Sequence, residues 1–174
     1  MAICATLEDD FRPTTDMTLL PSVSHFLAPW ARIYSDSKLL TTGVTFAHVG
    51  GLLLGGGCAI AGDRTTLRSR QYDIGERAAL HRPVLIGLSI TMVSGLLMLG
   101  ADFDTYFPSV VFWSKMALIA ALLVNGAVIQ RADRALQRDP DRAPQLWPRL
   151  RRAAGVSLAL WFAVTLLGTA MLSI

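Results

Sequence analysis

The chain alternates between long apolar segments and shorter polar ones. Four segments, 39–62, 83–101, 108–130 and 153–174, are almost free of charged residues. A bilayer core of roughly 30 Å is crossed by about 20 helical residues, each rising about 1.5 Å. Backbone polar groups inside lipid must be satisfied within their own segment, so each segment is expected to be a helix. The pattern predicts an all-α fold, a four-helix transmembrane bundle.

The polar residues before the first span have a pattern of their own. Within 22–38, four apolar or aromatic side chains fall on one side of a helix: Phe26, Trp30, Ile33 and Tyr34. Amphipathic rings on such a helix suit the headgroup layer of a membrane. We therefore expect an N-terminal interfacial amphipathic helix, with a partner-binding arm as the alternative. The chain would divide into an extracytoplasmic tail, 1–38, and a membrane domain, 39–174.

Composition agrees with a membrane protein. The chain is 52% hydrophobic and only 17% charged, with a mean hydropathy of +0.45. Soluble domains carry about a quarter charged residues. The lipid bilayer is therefore the first partner that the sequence predicts.

The basic residues are concentrated in two of the links between the apolar segments. Five arginines lie in 63–82 and seven in 131–152, twelve of the 16 Lys and Arg, whereas 102–107 has only acidic charges. Basic loops stay on the cytoplasmic side of a membrane. We expect a multi-pass protein of the bacterial inner (cytoplasmic) membrane, with both basic loops cytoplasmic and the N- and C-termini outside. The net charge of +3 then reflects topology, and no nucleic-acid partner is expected.

Small residues recur at every fourth position of the first segment. They are Gly43, Ala47, Gly51, Gly55 and Ala59. Gly87, Thr91 and Gly95 form a similar stripe in the second segment. In lipid, small residues let helix backbones approach closely, which strengthens dispersion between them. We predict that both stripes are helix-packing surfaces, either within the bundle or against a neighbouring subunit.

His48 is the one residue of 39–62 able to carry a positive charge. It precedes Gly55 by seven residues, almost two turns, and so points along the small-residue stripe rather than into lipid. An intramembrane ionisable residue is a functional candidate. As a neutral imidazole, His48 would suit an axial haem ligand or a metal ligand. The alternative is a core histidine hydrogen-bonded to Asn125, Thr91 or Thr165.

Lys115 is the second candidate, near the start of the third segment. It follows the aromatic pair Phe112 and Trp113. One interpretation is a lysine that extends to the headgroups beside aromatic anchors. The other is a cation that faces a cavity and an anionic cofactor carboxylate. The sequence has no Gly-rich phosphate loop, Cys-x-x-Cys, His-x-x-His or Ser/His/Asp arrangement, so no catalytic or metal-binding set is predicted.

Three stretches carry a resemblance: 47–64 (starting AHVGGL), 82–97 (starting RP and ending SGLL) and 111–116 (VFWSKM). Between about residues 45 and 130 the chain resembles a family of uncharacterised bacterial four-helix membrane proteins. Its layout is more distantly similar to the copper-resistance D membrane proteins and to the four-helix, haem-containing protoporphyrinogen IX oxidases. Those oxidases have an acidic residue and a proline near the start of the second helix and a lysine opening the third, so the resemblance carries over Glu76, Pro83 and Lys115. Independently, we expect Pro83 to start the second helix, because its missing N–H is not needed there.

Three functions stay open from the sequence. The first is an accessory or structural subunit of a larger membrane complex, of the electron-transfer or photosynthetic kind. It is favoured because no complete active site is present, while the stripes and the aromatic tail offer contacts to membrane-protein partners. The second is a haem-binding membrane oxidoreductase with haem b on His48. The third is a small metal or solute transporter.

Overall fold

The computed structural model describes residues 19–69 and 74–170, and the regular secondary structure of this part of the chain is helical throughout. The elements in chain order are α1 (Leu19–Asp36), α2 (Lys38–Arg68), α3 (Ile74–Ala101), α4 (Phe103–Tyr106), α5 (Val110–Arg138), a short 3-10 helix (Pro140–Arg142) and α6 (Ala143–Ala170). The predicted all-α fold is confirmed. Residues 1–18 of the predicted tail and 171–174 of the fourth predicted segment lie outside the described residues.

Four helices are long and apolar enough to cross a membrane: α2, residues 79–101 of α3, α5 and α6. The protein is therefore a multi-pass membrane protein whose apolar helices contact lipid. The helices extend beyond the apolar segments, because a helix continues into polar sequence that hydropathy does not count. Pro83 consequently lies inside α3 and not at its start, so that prediction is wrong. Residues 74–82 already form about two helical turns before it.

The helix α1 ends against the beginning of α2. The side chain of Ser37 accepts a hydrogen bond from the backbone N–H of Leu40 at 3.3 Å and caps α2. Trp30 Nε1 donates to the carbonyl of Leu97 in α3 at 2.9 Å. Phe26 and Ile33 are 83% and 59% exposed. The side chains predicted to share one side are thus divided, since Trp30 contacts α3 whereas Phe26 and Ile33 face outwards.

The contact between α2 and α3 is the most extensive of the fold, and glycines lie at its centre. A Cβ on Gly87 would collide with the backbone N and Cα of Gly55, and it would lie 2.6 Å from the carbonyl O of Gly51. A Cβ on Gly51 would lie 2.7 Å from Thr91 Oγ1. Only glycine leaves room for this approach, so the two backbones touch. We call these three glycines the glycine crossing.

The other small residues of the two stripes lie away from the glycine crossing. Gly95 faces His48, and a Cβ on it would lie 3.1 Å from the ring Cε1. Gly43 is open, because a Cβ there would meet no described atom within 4 Å. Ala47 lines an apolar groove with Gly43, and Ala59 is half-buried. Helix contact therefore involves the middle of the first stripe rather than its whole length.

A second helix pair consists of α5 and α6, and α6 connects it to α2. Trp161 of α6, only 4% exposed, covers Gly56 of α2, where a Cβ would lie 3.0 Å from the indole ring. Asn125 Nδ2 of α5 donates to the carbonyl of Ala153 in α6 at 2.9 Å. The four spanning helices are therefore neighbours in the order α3, α2, α6, α5.

Candidate functional site

The two outer helices of this order, α3 and α5, make no extended contact with each other within the described residues. They are joined near the basic links, where Gln130 Nε2 lies 2.7 Å from His81 Nε2. Leu123 lies two turns from Gln130 on the same face of α5, and Met92 lies three turns from His81 on the same face of α3. Leu123 is 44% exposed and Met92 is 51% exposed. Between this bond and the link at α4, the two helices make no extended contact within the described residues, and we call the space between them the α3–α5 cleft.

His48 of α2 lies against α3, beside Ser94 and Gly95. Its Nδ1 is 3.1 Å from Ser94 Oγ, and the Ser94 hydroxyl donates to the carbonyl of Ile90 at 2.6 Å. A hydroxyl has a single proton, so the Ser94 oxygen accepts the Nδ1–H of His48. In the neutral ring, Nε2 then carries the lone pair that can accept a proton or bind a metal ion. The contact with Ser94 holds the ring in one orientation.

Two of the three hydrogen-bond partners predicted for His48 are wrong, because Asn125 and Thr165 both donate to backbone carbonyls of α6. The third, Thr91, is a neighbour of His48: its backbone is hydrogen-bonded to the His48 side chain, and its Oγ1 lies 3.5 Å from the His48 backbone oxygen. The side chain that contacts the ring is Ser94, which the sequence prediction missed. The available signal was its place beside Gly95, on the stripe that faces the first helix.

Lys115 points into the bundle from α5. It precedes Leu122, which is 7% exposed, by seven residues and therefore shares its buried face. Lys115 Nζ lies 3.6 Å from the position that a Cβ on Gly168 of α6 would take. In the described chain no carboxylate is paired with Lys115. Both interpretations of Lys115 stay predictions.

Aromatic residues close the α4 end of the cleft. Phe103 stacks on Phe107 with 4.7 Å between ring centroids, and Trp113 Nε1 donates to the carbonyl of Phe107 at 2.9 Å. Tyr106 is half-buried beside them. Its burial raises its pKa above the ordinary value of 10.0, and the charges of Asp102 and Tyr34 raise it further. The link between α3 and α5 is therefore an ordered aromatic cluster.

Other candidate chemistry is sparse. Within residues 19–69 and 74–170, no three His, Cys, Asp or Glu residues are grouped as ligands for a metal ion. The side chain of Glu76 lies outside the described residues, and Pro83 lies within α3, two residues after His81. Asp63 is buried, at 4% exposure, near the end of α2. His48 contacts α3 and Lys115 lies beside α6, so these two ionisable residues inside the spans remain the candidates.

The chain was compared with protein-family models, with curated proteins and with solved structures, and nothing matched. The resemblance described from the sequence therefore stays a prediction. Function has to be argued from the α3–α5 cleft itself.

Proposed function

We propose that the protein is an integral membrane subunit of a larger membrane complex, and that a transmembrane helix of a partner protein occupies the α3–α5 cleft. The observation that carries this proposal is the shape and lining of the cleft. We assign Met92 and Leu123 to its apolar walls because both are exposed, and His48 and Lys115 to its interior because they contact α3 and α6. Two spanning helices that make no extended contact leave a space that another component must fill.

The polarity of the cleft favours a protein over lipid as its occupant. A cationic side chain at membrane depth costs roughly 3 kcal/mol, and polar or acidic groups offset that cost by pairing with it. Acyl chains cover apolar walls but offer no acceptor to Lys115. A partner helix with a polar side chain or a carboxylate would cover Met92 and Leu123 and accept a hydrogen bond from Lys115.

The orientation of the protein in its membrane is inferred from the distribution of its basic residues. The described arginines of 63–82 and 131–152, among them Arg64, Arg68 and Arg151, are at one end of the spanning helices, and α4 is at the other. We propose that the arginine-rich end is cytoplasmic in a bacterial inner membrane, by the positive-inside rule. The α4 end and α1 then face the outside, with Phe26 and Ile33 of α1 in the headgroup layer.

Photo-cross-linking tests the partner helix. Benzoylphenylalanine replaces Leu123 in the cleft or, as a control, Phe162, which is 65% exposed on α6. After irradiation in native membranes, the Leu123 variant should form an adduct with another protein, and the Phe162 variant should not. Native electrophoresis in a mild detergent should show the chain in a complex larger than its own 18.9 kDa.

Two results would contradict the proposal. The first is a lone monomer in mild detergent, with only lipid adducts at position 123. The second is equal protein cross-linking from positions 123 and 162, which would indicate random collision in the membrane. Substitution of Lys115 by Met should weaken the specific adduct, because it removes the donor to which the partner's acceptor would bind.

A second function, haem binding at His48, is favoured by one specific contact. Ser94 holds Nδ1 and leaves Nε2 able to bind iron, and metal-ligating histidines commonly donate their other ring N–H in this way. Lys115 would face a carboxylate of the cofactor. Bound haem would supply one-electron chemistry. A single histidine and a nearby cation fit haem b, so we keep this candidate beside the first.

The absorption spectrum of the purified chain separates the two candidates. After haem supplementation, a haem protein would show a Soret band that is lost in His48→Ala and retained in His81→Ala, the control histidine outside the cleft interior. No Soret band, or an unchanged band in His48→Ala, removes this candidate and leaves the subunit proposal intact. The transporter hypothesis stays a prediction of the sequence.

A further inference from the structure

A groove on α2, remote from the α3–α5 cleft, has the chemistry of a phospholipid site. Its volume is about 430 Å³, and it is lined by Gly57, Ile60, Ala61, Arg64, Thr65 and Arg68. The residues recur at helical spacing, so they form one continuous face of α2. The opposite face of the helix carries Gly55 and Gly56 and packs against α3 and α6. The groove therefore faces the surrounding membrane.

The two halves of the groove differ in polarity. Gly57, Ile60 and Ala61 are apolar and lie within the spanning helix. Gly57 has no side chain to occupy the groove, and a Cβ on it would meet no described atom within 4 Å. The half nearer the end of α2 carries Arg64 and Arg68, which are both exposed. The gradient from apolar to cationic along a single helix face matches that of an acyl chain joined to an anionic headgroup.

The arginines of the groove are available for such a headgroup. In the chain that the structure describes, neither Arg64 nor Arg68 is paired with a carboxylate. Their spacing of four residues places both guanidinium groups on the same side of α2. Guanidinium groups bind phosphate oxygens in paired hydrogen bonds. Arg151 of α6 is engaged nearby, where its Nη2 donates to the carbonyl of Leu67 at 3.0 Å.

We propose that this groove binds one anionic phospholipid, with the phosphate between Arg64 and Arg68 and an acyl chain along Gly57, Ile60 and Ala61. Basic pockets at the ends of transmembrane helices recognise anionic headgroups in this way. The site is separate from the α3–α5 cleft and does not depend on a partner subunit. It also does not depend on which side of the membrane the arginines occupy.

Native mass spectrometry of the full-length protein tests the headgroup. The detergent-solubilised chain is titrated with dioleoyl phosphatidylglycerol or dioleoyl phosphatidylcholine, and the first bound lipid is counted. Phosphatidylglycerol should bind more tightly than phosphatidylcholine. The pair Arg64→Gln and Arg68→Gln should weaken phosphatidylglycerol binding about twenty-five-fold, since each basic residue near an anionic lipid contributes roughly a factor of five. The matched pair Arg134→Gln and Arg138→Gln on α5 should change it less than two-fold.

A second pair of variants tests the acyl-chain half without altering charge. Gly57→Leu fills the groove and should weaken phosphatidylglycerol binding several-fold. Gly50→Leu is its control, because Gly50 also has open space around its Cβ position and does not line the groove. Circular dichroism should give the same helix content for all variants. If the arginine variants lose helix, the Gly57 and Gly50 pair still decides the question.

The source of the bound phosphate is tested by competition. Inorganic phosphate and glycerophosphoglycerol, which has no acyl chains, should not displace the lipid at matched ionic strength. Displacement by either would overturn the proposal, because it would reduce the site to an anion site. Equal affinity for the two lipids, or no effect of the Arg64 and Arg68 changes, would also overturn it. The proposal would also be overturned if benzoylphenylalanine in place of Ala61 cross-linked to a protein instead of a lipid.

Discussion

Two neighbouring regions of the bundle show opposite ways of placing helices in a membrane. At the glycine crossing, the backbones of α2 and α3 touch at Gly51, Gly55 and Gly87. At the α3–α5 cleft, the helices are joined by the bond between His81 and Gln130 and make no extended contact elsewhere within the described residues. The same helix, α3, takes part in both regions. One of its faces carries Gly87, which allows close approach, whereas another carries the exposed Met92.

The comparison shows where packing energy comes from in lipid. Apolar side chains gain little by leaving lipid for a helix interface, so close contact depends on dispersion between surfaces that fit. Glycines provide such a fit on one face of α3. On the cleft face, Met92 of α3 and Leu123 of α5 have large side chains that remain exposed. The closely packed pair of α2 and α3 thus lies next to a cleft that is open to another component.

The largest effect is expected at the glycine crossing. In Gly87→Ala, the new Cβ would collide with the backbone of Gly55, which cannot move as a flexible side chain can. We expect the free energy of unfolding to fall by about 3 kcal/mol or more, the upper range for overpacking a tight interface. Unfolding in mixed micelles, followed by circular dichroism, measures the change.

Gly126→Ala is the control for this substitution. Gly126 lies on α5, and a Cβ on it would meet no described atom within 4 Å. Alanine there should be neutral or stabilise the helix by up to about 1 kcal/mol, because alanine has the higher helix propensity. Equal stability of Gly87→Ala and Gly126→Ala would mean that the two backbones are not in contact at Gly87.

Much of the fold could be predicted from the sequence. Four apolar stretches separated by charged ones are a property of the chain itself, so the all-α class and the four long apolar helices are confirmed. The ends of the helices were harder to predict from the sequence. The helix α2 runs to Arg68, past the apolar limit at Gly62, because polar residues continue a helix as well as apolar ones do. Pro83 likewise lies inside α3.

The site was less predictable, for a geometric reason. Apolar segments indicate how deep a residue lies in the membrane, and this was enough to select His48 and Lys115 as residues inside spans. Apolar segments do not indicate how each helix is rotated about its axis. Asn125 was expected near His48 by depth, but its face of α5 meets α6. The order of the helices, and with it the α3–α5 cleft, likewise had no sequence signal.

A smaller effect is expected from the hydrogen bond between α2 and α3 beside the glycine crossing. In Ser94→Ala, Nδ1 of His48 loses its acceptor. We expect a loss of about 1 kcal/mol in the free energy of unfolding, typical of interhelical hydrogen bonds in membranes. Ser89→Ala on the same helix is the control, because Ser89 is exposed. A similar loss in both variants would show that the His48 contact contributes nothing specific.

The hydrogen bond that joins α3 to α5 should contribute less to the free energy of unfolding than the contact between His48 and Ser94. Both His81 and Gln130 are joined in an exposed hydrogen bond, and such bonds contribute about 0.5 kcal/mol. A double-mutant cycle of His81→Ala and Gln130→Ala measures that coupling. Spin labels at positions 92 and 123, in a chain without its native cysteines, should report a broader distance distribution in Gln130→Ala. An unchanged distribution would mean that other contacts set the width of the cleft.

The smallest effect concerns Tyr106, in the aromatic link that joins α3 to α5 and closes the α4 end of the cleft. Burial, followed by the charges of Asp102 and Tyr34, raises its pKa above 10.0. A raised pKa in the folded state means that folding favours the protonated phenol, so its contribution is present below pH 10 and is lost as the pH rises through the higher folded pKa. Absorbance at 295 nm should therefore show a late ionisation that disappears in Tyr106→Phe. Asp102→Asn should lower this pKa only partly, because burial is the larger cause. If all tyrosines ionised together near pH 10, the aromatic link would be open to water, and the cleft would extend through its α4 end.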